Sequence, residues 1–209
     1  MDQESAKAIL ENDLTDIKSS IHDPENYYIR SYPYLLRSCK VLYEQTKSNT
    51  ETEDDAILAI AHIAYSWMPT VLKSCELKEA QIAQHKKDQT ILDAFRISCE
   101  EAKHFAAGFE HSPINDSWIG LSKALHFINP KVFPIWDSNV ARSFETNISS
   151  SKKKQKKDYL CYFEFCHSHL DLPSVKKIQD YFAEHKKYEI SRIRAVEYIL
   201  FISGQKNKK

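Results

Sequence analysis

The chain has 209 residues, of which 42% are hydrophobic, and 29 basic against 29 acidic side chains leave no formal net charge. That apolar content suffices for a core without disulfides or a structural metal, and no apolar run approaches the roughly 18–20 residues of a membrane span. The balanced charge also excludes the global basic excess common in duplex binders, although it is unevenly spread: residues 1–60 hold 12 acids and 6 bases, residues 151–209 hold 7 acids and 14 bases.

The N-terminal stretch to Lys18 is acidic and periodic, unlike a basic flank followed by an apolar block, and a soluble, cytoplasmic protein is expected. Five irregularly spaced cysteines (Cys39, Cys75, Cys99, Cys161, Cys166) read as reduced thiols, mostly in the core. Cys161, Cys166, His167 and His169 are the one metal-like group, but their spacing matches no usual zinc pattern and a helix would scatter them. No metal site and no cofactor are expected.

With three glycines and no sustained alternation of apolar and polar residues, the chain reads as all-α. Ala6, Ile9, Leu10, Leu14 and Ile17 step along one face of a first helix. Tyr34, Leu35, Cys39 and Leu42 continue the pattern after turns expected at Asp23-Pro24 and Tyr32-Pro33. Thr52 to Asp55 caps the run Ala56 to Trp67, which is apolar almost all round and predicts a central buried helix ended by Pro69. A further helix is expected over about 86–109, and three more over 159–165, 174–181 and 190–202. The polar run Ser149 to Lys157 predicts a mobile boundary or a surface loop. A compact multi-helix domain over 1–209 and two helical lobes, 1–112 and 113–209 with a cleft between them, both fit this reading.

The segment Asn115 to Arg142 has the clearest local grammar. Asp116 or Ser117 caps a helix whose Leu121, Ala124, Leu125 and Ile128 share a face, and Asn129-Pro130 stops it. Phe133-Pro134-Ile135-Trp136 is too apolar for an exposed loop, and Asp137 stands where it caps a helix beginning Ser138-Asn139-Val140.

Pro134, Asp137, Val140 and Arg142 resemble the stretch that carries the catalytic aspartate in the helix-hairpin-helix DNA glycosylase superfamily, with Trp136 as an inserted residue and Asn139 at the usual histidine position. Lys123, preceded by Gly120, lies on the helix before it, where lyase-competent members place a nucleophilic lysine. The likeness covers about 28 residues and departs from the family in lacking the glycine-rich hairpin, in a short Lys123 to Asp137 spacing, and in having no four-cysteine iron–sulfur motif.

The resemblance implies a DNA partner and excision of a damaged or modified base, with Asp137 stabilising an oxocarbenium-like sugar and Lys123 forming a Schiff base at C1′. Base extrusion needs an aromatic, polar pocket, for which Tyr65, Trp67, Trp118 and His126 are the candidates, with His62 three residues before Tyr65. Arg142 and the run Lys152, Lys153, Lys154, Lys156 and Lys157 are the candidate phosphate contacts.

Each residue also has a plainer role: Asp137 a helix cap, Lys123 a solvated helix lysine, the aromatics and histidines core, Arg142 a partner of Glu145, the lysine run a solvated surface. The alternative to a glycosylase is therefore a non-catalytic helical module that keeps the fold and binds nucleic acid or protein.

Overall fold

A computed structural model describes residues 1–12, 14–23, 26–48, 52–67, 72–75 and 90–206. Its helices are α1 (Gln3–Glu11), α2 (Thr15–His22), α3 (Tyr27–Lys47), α4 (Glu53–Ser66), α5 (Cys99–Ala107), α6 (Trp118–Ile128), α7 (Ser138–Ser143), α8 (Lys152–Ser168), α9 (Pro173–Lys186) and α10 (Arg192–Lys206), with a 3-10 turn at Ile91–Phe95. Among the described residues there is no β-strand, only an isolated antiparallel bridge between Cys75 and Ile114. The protein is all-α. Among the described residues no helix is long and apolar enough to cross a membrane.

Short polar side chains start most of these helices by taking amides that have no partner within the first turn. Asp2 caps α1, Thr52 caps α4, Ser117 caps α6 and Ser151 caps α8, while Ser98 and Glu101 close a reciprocal capping box on α5. Pro173, at the first position of α9, needs no amide partner there.

The chain divides into two units: Met1–Arg30 with Pro134–Lys209, and Ser31–Phe133. The division therefore does not fall at 112/113. The first unit is discontinuous because the N-terminal helices α1 and α2 pack on the C-terminal helix α10.

In the first unit α10 is the central element, buried from Ile193 through Leu200, and α7 lies closely against it. A Cβ on Gly204 would land on the Asn139 carbonyl, so only glycine allows this approach. Ser143 donates to the Leu200 carbonyl at 2.6 Å, and the Asp2 amide donates to the Phe144 carbonyl at 3.0 Å. Trp136, Phe144, Tyr162 and Phe165 form an aromatic core, with centroids 5.1 Å apart for Trp136 and Tyr162 and 4.9 Å for Phe144 and Phe165.

In the second unit α6 is buried over nearly its whole surface and packs on α4 and the 3-10 turn. Asn129, at its C-terminal end, donates to the Ala94 and Ile97 carbonyls at 3.0 and 3.2 Å. Tyr43 stacks on Phe95 with centroids 4.1 Å apart and accepts a hydrogen bond from Arg96 at 2.5 Å.

Several expectations are corrected. The first helix is two, α1 and α2, because Asn12 leaves the helix with an extended backbone. Pro33 is inside α3 rather than at a turn. A proline there deprives the Ile29 carbonyl of its helical amide, and the Tyr188 hydroxyl takes that place at 2.9 Å.

The run 56–67 is amphipathic: Leu58 is 40% exposed and His62 is exposed, so the helices buried all round are α6 and α10. The stretch 90–109 is a 3-10 turn followed by α5, divided by the capping box at Ser98. The basic run is the start of α8, not a loop, since Ser151 supplies its cap. Of the five cysteines only Cys39 and Cys166 are buried. The expected turn at Pro24, the helix end at Pro69 and the helical residues 86–89 lie outside the described residues.

Candidate functional site

Asp137 is in the first unit and has the role its position suggests. The apolar connection Val132 to Trp136 is buried, and Asp137 leaves it with an extended backbone and a half-buried side chain. Its Oδ1 accepts the amides of Asn139 and Val140, each at 2.9 Å, which starts α7 and fixes the carboxylate. Among the described residues Oδ2 has no hydrogen bond.

The surroundings of Asp137 contain tyrosines that sequence reading did not single out. Tyr28 is partly buried, its ring lies 4.4 Å from that of the exposed Tyr27, and its hydroxyl is pushed up to about 12. The hydrogen bond with Tyr27 is the largest cause, followed by burial, with the Asp137 carboxylate adding to them. Tyr162 is fully buried and its hydroxyl is pushed well up, by burial first and by Cys166 and Asp137 after it. Nothing in the sequence marks Tyr28, which is more than a hundred residues from Asp137.

Arg142 sits on α7 and does not pair with Glu145. Its Nε donates to the Gly204 carbonyl at 3.0 Å and its Nη2 donates to the Asn139 side chain. Glu145 instead accepts from Ser5 at 3.0 Å. Arg142 thus clamps α7 to α10 at the point where Gly204 admits the helix backbone.

The lysine run occupies the first turns of α8, with Lys152, Lys153, Lys154 and Lys157 exposed and Lys156 partly so. Lys154 pairs with Asp158 at 2.8 Å. No acidic residue occupies the first turn, so several cations stand at the positive end of the helix dipole.

The remaining candidates belong to the second unit and are core residues. Lys123 is only 6% exposed, and its Nζ donates to the Trp67 carbonyl at 3.1 Å, so it is not a solvated helix lysine. Trp67 donates its Nε1 to Ser31 at 3.0 Å and stacks on Tyr32 with centroids 5.6 Å apart. Tyr65 is buried against Gly120, where an added Cβ would stand 2.8 Å from its hydroxyl oxygen. Burial raises the Tyr65 hydroxyl, offset by hydrogen bonds with Asn115 and Ser117. Trp118 is 1% exposed.

His126 is fully buried between two oxygens: Nδ1 lies 2.7 Å from the Phe133 carbonyl and Nε2 lies 2.8 Å from the Tyr32 hydroxyl. A carbonyl only accepts, so Nδ1 carries the proton. In the neutral ring Nε2 is then the acceptor and Tyr32 donates. This chain from α3 through His126 to the connection after α6 uses both ring nitrogens structurally.

The structure brings Lys123 together with Trp67, and Tyr65 with the Gly120 turn of α6, through buried contacts. The metal-like group on α8 is scattered: Cys166 is buried, His167 lies against Phe163 with centroids 4.3 Å apart, and His169 bonds to the Phe165 carbonyl at 2.7 Å. Among the described residues no three His, Cys, Asp or Glu side chains are grouped to hold a metal ion. No protein-family model, curated protein or solved structure matches the chain.

Proposed function

We propose that the chain acts on DNA as a base-excising protein of the helix-hairpin-helix glycosylase kind, with the Asp137 carboxylate facing the reacting sugar. The observation that supports this reading is the way Asp137 is held. A buried connection delivers it, two amides fix Oδ1, and among the described residues no hydrogen bond occupies Oδ2. Such a carboxylate needs no reorganisation to oppose positive charge developing at C1′ as the base departs and water adds to the sugar. The lysines at the start of α8 suit the phosphate backbone, because an anion there relieves their mutual repulsion and meets the helix dipole. A lyase step would require the Lys123 amine to exchange the Trp67 carbonyl for C1′.

A second reading, a non-catalytic nucleic-acid-binding module, is favoured by the burial of Tyr65, Trp67, Trp118 and His126 and by the structural employment of Arg142. One experiment separates the two. Duplexes containing an abasic site or an oxidised purine are incubated with the protein, and base release, borohydride-trapped adduct and binding are measured together.

The glycosylase reading expects base release that falls by roughly a hundredfold or more in Asp137→Asn. An adduct lost in Lys123→Met would add the lyase step. Salt-sensitive binding, weakened by replacing Lys152, Lys153 and Lys157 with Ser and accompanied by neither product, would establish the binding module and end the enzyme reading for these substrates.

A further inference from the structure

A cluster independent of that function lies in the first unit, where the end of α2 meets α9. His22, the last residue of α2, has its ring centroid 4.7 Å from that of His185 on α9, with the ring planes at 62°. Tyr181, one turn before His185, bonds its hydroxyl to His22 Nε2, and its ring centroid is 4.2 Å from that of His185. Among the described residues Nδ1 of His22 and Nδ1 of His185 have no hydrogen-bond partner, and His185 Nε2 stands 3.7 Å from the Glu184 carboxylate. Two imidazoles from different helices therefore meet at the surface with ring nitrogens to spare.

The spacing has a chemical reading. Two imidazoles on one tetrahedral ion, each with a metal–nitrogen bond of about 2.0–2.1 Å, hold their centroids about 5 Å apart. The observed 4.7 Å is close to that chelating distance. Neutral imidazole prefers zinc, nickel and copper(II) to the hard alkaline-earth ions.

We propose that His22 and His185 form a surface chelate for a divalent transition-metal ion, bridging α2 to α9. Water completes the coordination, and the Glu184 carboxylate beside His185 lowers the cost of adding a cation. The Tyr181 hydroxyl orients the His22 ring, which serves the purpose that a second hydrogen bond serves in metal-binding histidines generally. Lys18, whose Nζ lies 5.2 Å from the Tyr181 ring centroid, opposes binding by its charge.

Calorimetric titration of zinc chloride into the full chain tests the proposal, with His22→Gln, His185→Gln and Lys18→Met as variants. One site is expected, weakened roughly tenfold or more by either glutamine and tightened by Lys18→Met. In the unmutated protein, zinc is expected to shield both histidines from acylation by diethyl pyrocarbonate, a readout that needs no variant to fold. Absence of zinc binding overturns the proposal. So does binding as strong in the two glutamine variants as in the parent, or acylation of both histidines at an unchanged rate with zinc bound.

Discussion

The two helices buried nearly all round, α10 in the first unit and α6 in the second, admit charge in different ways. In α10, Arg194 and Glu197 are one turn apart, their side chains 7% and 2% exposed, and they neutralise each other. In α6 the cation is Lys123, and one of its partners is a neutral oxygen, the Trp67 carbonyl. The difference matters when a partner is removed. Truncating Glu197 removes the opposite charge that faces the Arg194 guanidinium in the core, whereas truncating Lys123 takes one hydrogen bond from the Trp67 carbonyl, a smaller loss.

The largest expected effect follows from that asymmetry. Glu197→Ala should destabilise the protein by about 3–5 kcal/mol in urea unfolding, while the double replacement Arg194→Met with Glu197→Leu should recover most of the loss because both charges of the pair are removed together. Lys123→Met, which keeps the volume of the chain, should stay within about 1.5 kcal/mol of the parent. If Glu197→Ala and Lys123→Met cost the same, the ion pair in α10 contributes no more than a hydrogen bond to a carbonyl. A near-parental Lys123→Met also serves the trapping experiment, since lost adduct could not then be blamed on lost fold.

The sequence reveals these two helices unequally, for a physical reason. The ends of α6 are marked by residues that act on their own neighbours: Ser117 takes the Gly120 amide, and Asn129-Pro130 ends the pattern. Asp137 is equally local, which is why its cap is legible. The burial of α10 is not, because Arg192, Arg194 and Glu197 look like a solvated face until Glu197 is seen to neutralise Arg194. Arg142 is misleading for the same reason: Glu145 is near in sequence, but the Gly204 carbonyl, 62 positions away, is the acceptor. Tyr188, likewise, completes Ile29 across 159 positions and so lets Pro33 remain inside α3. The aromatic candidates Tyr65, Trp67 and Trp118 carry no local sign that separates pocket from core, and burial puts them in the core.

Glycine sharpens the contrast at the next level. In α10 the obstacle to a side chain at 204 is the Asn139 backbone carbonyl, which cannot move without shifting α7. In α6 the obstacle at 120 is the Tyr65 side chain, its hydroxyl oxygen 2.8 Å away, and a side chain yields more readily than a helix backbone. Gly204→Ala is therefore expected to cost about 3 kcal/mol or more, and Gly120→Ala only about 1 kcal/mol, part of its strain being offset by the better helix propensity of alanine. Thermal denaturation of the two variants measures the difference. Equal losses would mean that Tyr65 is as immobile as a helix backbone, and would make its bonds with Asn115 and Ser117 a rigid part of the second unit.

The caps give the smallest expected effect and the one closest to function. Ser117 holds a single amide at 3.4 Å, whereas Asp137 holds two at 2.9 Å, so Ser117→Ala should cost about 0.5 kcal/mol and Asp137→Ala nearer 2 kcal/mol. Asp137→Asn keeps an oxygen at the capping position and removes only the charge, so its stability should lie within about 0.5 kcal/mol of the parent. Stability and base release are then separable at one residue. Should Asp137→Asn fold normally and still release base at the parental rate, the carboxylate is a cap and nothing more. A normally folded Asp137→Asn that has lost base release leaves the charge itself as the group that acts on the sugar.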